Sequence, residues 1–137
     1  MKFLSVLFFL AFAITGIYAQ NQRIIHQTFQ LDTATTLQLD LFGTFTIEPW
    51  VGDAIMIETQ ISVLNASEGA LNHYIKEGRY EIEPKLEGTT LLLTSKTKKR
   101  PQLKKADGTS AEQVVVKVFM PDGLQAAGAN TWTKPKE

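Results

Sequence analysis

The sequence predicts a mainly β fold, an antiparallel sandwich or a short β-solenoid-like domain carrying one short helix. Three observations lead there. Apolar and polar residues alternate with period two in several segments between residues 25 and 120. One stretch alone, residues 65–78, changes to a spacing of three and four. No β-α-β rhythm is present.

The chain opens on an export signal. Lys2 provides the positive start, residues 3–14 the apolar centre, and residues 16–19 a short exit, with cleavage expected after Ala19. That apolar run is shorter than the roughly 20 residues a membrane span needs, and polar residues follow from Gln20. The mature chain therefore carries no transmembrane span, and its expected location is the periplasm, the cell surface or the medium. Removing residues 1–19 leaves 118, enough for one domain able to bury a core.

In the mature chain, Ile25, Phe29 and Leu31 alternate with His26, Thr28 and Gln30, which reads as an edge strand. Leu37, Leu39, Leu41, Phe45 and Ile47 then occupy odd positions between polar neighbours, a strand buried on one face. Gly43 interrupts that series where a side chain is expected and predicts a bend or hairpin. Turn residues 48–53 precede a second half-buried strand on Ile55, Ile57, Ile61 and Val63. In residues 65–78, Leu71, Tyr74 and Ile75 form a helical stripe, with Ser67 or Asn65 as cap and Gly78 as terminator. Tyr80 and Ile82 resume the alternation, Leu91 and Leu93 lie in a Thr-flanked strand, and residues 114–120 form the most β-branched strand of the chain. Residues 96–111 read as a polar hairpin loop between those last two strands. Residues 20–123 thus form the β domain, and residues 124–137 read as a loosely ordered tail.

Composition narrows the chemistry. Basic and acidic residues number 14 each, so no net field favours nucleic acid or a membrane. The absence of cysteine excludes disulfides, thiolate metal sites and a cysteine nucleophile. His26 and His73 have no spaced partners to complete a zinc set, and no Gly-x-Ser-x-Gly elbow marks an acyl-transfer serine. No cofactor, metal or catalytic residue is expected. Glu81 and Glu83 share a strand face about 7 Å apart, within the range of glycosidase carboxylate pairs. They carry the alternative reading, a small carbohydrate-active envelope enzyme. Asn65-Ala-Ser67 matches the acceptor pattern for N-glycosylation.

The strongest charge asymmetry lies at Lys96, Lys98, Lys99, Arg100, Lys104 and Lys105, six cations within ten residues. Such a loop suits anionic envelope polysaccharide, lipid head groups or an acidic protein. No aromatic residue interleaves it, which argues against nucleic acid. Trp50, at a turn, is a further binding candidate as a sugar platform, although a turn tryptophan more commonly folds over the end of a sheet.

Several segments together resemble one known family. They are TLQLDLFGTFTIEPW (residues 36–50), IMIET (55–59), EGTTLLLT (87–94) and VKVFMPDG (116–123). Their order is similar to the entry portion of the adhesin β-strand-repeat family of exported bacterial proteins. The resemblance implies a non-catalytic envelope or surface protein with a binding, adhesive or structural role. In that family further strand repeats follow the Pro-Gly step, whereas this sequence runs fourteen residues past Gly123. The expectation is an entry portion without the repeats, a form that a truncated copy of a longer protein would also take. A third reading is an accessory or inhibitor subunit pairing through a strand edge near residues 24–31.

Overall fold

A computed structural model describes residues 20–64 and 66–135. The export signal expected over residues 1–19 and the expected glycosylation acceptor Asn65 lie outside the described residues. Strands β1 (Gln20–Phe29), β2 (Thr36–Asp40), β3 (Phe45–Trp50) and β4 (Ile55–Leu64) precede the helix α1 (Glu68–Lys76). After it come β5 (Ile82–Glu87), β6 (Thr90–Ser95), β7 (Glu112–Pro121), β8 (Gln125–Gly128) and β9 (Thr131–Thr133). The mainly β class with a single short helix is what the alternation requires.

The strands form two sheets, ordered β1-β4-β7-β3 and β5-β6-β2-β9-β8. Their inner faces share one core. Leu37 and Leu39 of β2 with Leu91 and Leu93 of β6 meet Ile55 and Ile57 of β4 and Val116, Val118 and Met120 of β7. Leu37, Ile55, Ile57, Leu93 and Val118 are completely buried, each contributing about 1.5–3 kcal/mol by leaving water.

Both sheets are mixed rather than purely antiparallel, and the reason lies in two crossings. Among the chain's passages from one sheet to the other, those from β2 to β3 and from β6 to β7 run side by side in the same direction. Each pair is therefore an arch and not a hairpin: of the bend or hairpin expected at Gly43 the bend is present, and the hairpin loop expected for residues 96–111 is corrected to a crossing. The arches stack in parallel register, Leu37 beside Leu91 and Leu39 beside Leu93 in one sheet, Phe45 beside Val116 and Ile47 beside Val118 in the other. The sandwich thus contains two turns of solenoid-like stacking. Gly43 allows the first crossing at φ +80°, a conformation that costs side-chain-bearing residues about 1 kcal/mol or more.

The helix closes one flank. Ser67 caps it, its hydroxyl accepting from the Ala70 amide at 3.0 Å, and Leu71 is buried against Ile61, Val63 and Tyr80.

The tail departs from expectation. Instead of lying loose, β8 and β9 form a hairpin whose second strand pairs with β2, Leu37 opposite Trp132. The Leu39 amide donates to the Asn130 carbonyl and the Lys134 amide to the Thr35 carbonyl, both at 2.9 Å. Backbone bonds to the otherwise open edge of β2, with Trp132 packed on the core, hold a segment whose polar composition gives no strand pattern.

Candidate functional site

Both arch connections, residues 41–44 and 96–111, lie at one end of the sandwich. In the first, the Phe42 amide donates to the Ser95 hydroxyl at 2.8 Å, and the Phe42 ring turns outward, 46% exposed. Its face is covered by Arg100, whose guanidinium carbon lies 4.3 Å from the ring centroid. Arg100 Nε donates to the Thr97 carbonyl at 3.1 Å. Arg100 is therefore folded inward against the sandwich, unlike the lysines around it.

Beneath this stack lies an ionic network that no sequence motif marks. Arg79, just after the helix, donates from Nε to Glu112 Oε2 at 2.9 Å and from Nη2 to Oε1 at 3.0 Å. The Tyr80 hydroxyl donates to the same Oε2. Arg79 Nη2 also reaches the Pro101 carbonyl at 3.0 Å, tying the loop to the network. The side chains of Arg79 and Glu112 are only 10% and 12% exposed.

Burial pushes the Glu112 carboxyl up, but hydrogen bonds from Arg79 and Tyr80 and the charges of Arg79 and Arg100 outweigh it, leaving it below its ordinary value. Burial, then the hydrogen bond to Glu112, pushes the Tyr80 hydroxyl well above its ordinary value. Arg79 is raised by its hydrogen bond to Glu112. Arg100 is lowered, first by burial and then by the charge of Arg79.

A cavity of about 240 Å³ opens beside the network. Leu41, Phe42, Ile82, Val114 and Val116 supply apolar wall, and Thr59, Tyr80, Ser95, Arg100 and Glu112 the polar groups.

The six expected cations divide into three environments. Lys96 pairs with Glu81 at 3.2 Å, and Lys98 pairs with Asp40. Arg100 belongs to the cavity. Lys99, Lys104 and Lys105 are exposed, and among the described residues none of them forms an ion pair. Their loop is internally braced: the Lys105 amide donates to the Thr109 carbonyl at 2.7 Å and the Ala111 amide to the Leu103 carbonyl at 2.7 Å. The Asp107 carboxylate, accepting from the Thr109 hydroxyl and amide at 2.6 and 2.9 Å, is held below its ordinary value by those bonds, the hydroxyl's first.

Trp50 lies at the far end of β3 from the lysines. Its indole nitrogen donates to the Ala54 carbonyl at 3.0 Å, and its ring packs over Gly52, where an added Cβ would come within 2.5 Å. Phe119 tilts against it at 6.1 Å. The ring is engaged with its own turn and does not join the cationic site. Glu81 is committed to Lys96, and Glu83 is exposed on the edge strand β5. His26 and His73 each face a single carboxylate, Glu58 at 3.5 Å and Glu77 at 3.1 Å. Among the described residues no group of three metal-ligating side chains converges, and no helix is long and apolar enough to cross a membrane.

No protein-family model, curated protein or solved structure matches the chain. The site is therefore read from its own geometry. What sequence reasoning missed is the grouping of Phe42, Arg79, Tyr80 and Glu112, which are brought together by the arch crossing and the helix exit. The available signal was slight: Glu112 is the one acidic residue between the polar loop and the β-branched strand.

Proposed function

We propose that the mature chain is an exported, non-catalytic protein of the cell envelope or surface, with a binding or adhesive role, that holds anionic polysaccharide at the arch-loop end of the sandwich. The observation that carries this reading is the set Lys99, Lys104 and Lys105, exposed and without ion pairs among the described residues, on a loop braced by Arg79 and by its own backbone bonds. A braced loop presents its charges at lower entropic cost than a free one. Polysaccharide is favoured over lipid because residues 96–111 expose no large apolar side chain and the outward Phe42 ring at the same end has its face covered by the Arg100 cation, a poor anchor for a bilayer surface. The stacked arches support kinship with strand-repeat adhesins, since each arch resembles one turn of such a stack.

The test is elution from immobilised heparin. Lys99→Gln, Lys104→Gln and Lys105→Gln combined should elute at clearly lower salt, whereas Lys96→Gln with Lys98→Gln should change elution little. Equal elution of the triple variant and the parent contradicts the reading, and preferential retention on anionic vesicles replaces polysaccharide with lipid.

A second reading rests on β1, a ten-residue edge strand with Ile24 51% exposed. Such an edge accepts a partner's strand. Loss of a co-purifying envelope protein in an Ile24→Lys variant would favour it.

A further inference from the structure

The cavity behind the lysines has a charge balance of its own. Its charged lining is one guanidinium, Arg100, and one carboxylate, Glu112, and Glu112 is already taken up by two bonds from Arg79 and one from Tyr80. Arg100 makes a single hydrogen bond through Nε, so among the described residues its Nη groups have no partner. Stacking on Phe42 fixes the guanidinium plane where it lines the cavity, and Ile82, Val114 and Val116 add apolar wall to the same cavity.

We propose that this cavity binds a small carboxylate with an apolar body. The ligand carboxylate would meet the Nη edge of Arg100, and the body would lie against Ile82, Val114 and Val116. Planar, two-donor recognition is what a guanidinium offers a carboxylate. An inorganic anion leaves the apolar wall wet, and a neutral apolar molecule leaves Arg100 without a counter-charge. A cavity of about 240 Å³ exceeds the roughly 150 Å³ that accommodates benzene, which leaves room for hexanoate or benzoate. The site goes beyond the polysaccharide reading, since it uses none of the exposed lysines.

Amide-resolved NMR titration of the mature chain tests it, with benzoate and hexanoate as probes and benzyl alcohol and inorganic phosphate as controls. The expected result is saturable shifts at Phe42, Thr44, Tyr80, Arg100 and Val114 with both carboxylates, and much weaker effects from the two controls. Arg100→Gln should weaken benzoate by roughly tenfold or more, as loss of a charge-assisted pair implies, and Arg100→Lys should retain part of the affinity. The triple lysine variant should bind benzoate unchanged, which separates this site from the heparin experiment. Absence of saturable shifts overturns the proposal, as does equal binding of benzyl alcohol or phosphate. A folded Arg100→Gln protein with undiminished affinity overturns it too. Should that variant fail to fold, the comparison of carboxylate with alcohol on the parent chain decides.

Discussion

Replacing Glu112 with Gln removes one charge with almost no change of shape, and the network around it sets the cost. Glu112 accepts three hydrogen bonds, two from Arg79 and one from Tyr80, and both ionic side chains are close to nine-tenths buried. Removing one member of a buried pair costs about 3–5 kcal/mol because the remaining charge loses both water and partner. Gln keeps a carbonyl acceptor but turns an amide N–H₂ toward the Arg79 guanidinium, so the lower end, about 3 kcal/mol, is expected at pH 7. In urea that lowers the midpoint by about 1–3 M at the slopes typical of small domains. The pH dependence has a defined sign. Because the folded Glu112 lies below its ordinary value of 4.5, its stabilisation is present above pH 4.5 and is lost as pH falls through the lower folded value. The gap between parent and variant should therefore narrow on acidification below pH 4.5. Combining Arg79→Met with Glu112→Gln should cost less than the sum of the two by about 1 kcal/mol or more. A Glu112→Gln protein within about 0.5 kcal/mol of the parent at pH 7, well below the cost of breaking a buried pair, would refute the network's structural role. So would a gap that stays constant to acid pH.

Three further outcomes follow from the packing. Leu93→Ala, at a completely buried position between the sheets, should destabilise by about 3–4 kcal/mol through lost burial and a residual cavity, read from denaturant midpoints. Ser67→Ala removes the cap on the Ala70 amide and should cost about 1 kcal/mol, with helical circular dichroism otherwise retained. The Leu39 and Lys134 amides, bonded to Asn130 and Thr35, should exchange with solvent slowly; rapid exchange at both would mean that the terminal hairpin is not held to β2.

The elements were legible where burial writes a period into the chain. Leu37 and Leu39, and Ile55 and Ile57, alternate because one face of each strand enters the shared core, and Leu71 with Tyr74 and Ile75 marks the helix because its stripe packs on the sandwich. The arches were not legible. Alternation records which residues face inward and not which sheet they join, so Gly43 marked a bend without distinguishing hairpin from crossing. The β8–β9 hairpin escaped notice because it is held mainly by backbone bonds, which are indifferent to side-chain type. The loop showed a similar limit. Lys96, Lys98 and Arg100 are indistinguishable in sequence from Lys99, Lys104 and Lys105, yet Glu81, Asp40 and the Phe42 ring claim the first three. Their partners lie 15 to 58 positions away in the chain.

The salt dependence of heparin binding, measured by titration calorimetry of residues 20–137 and of their Lys99, Lys104 and Lys105 triple Gln variant, tests the polyanion reading most directly. Three lysine contacts on a dense polyanion should give an affinity that falls with salt at a log–log slope of about −2 to −3, collapsing toward zero in the triple variant. A shallow slope in the parent, or an unchanged slope in the variant, would contradict polyanion binding through these lysines.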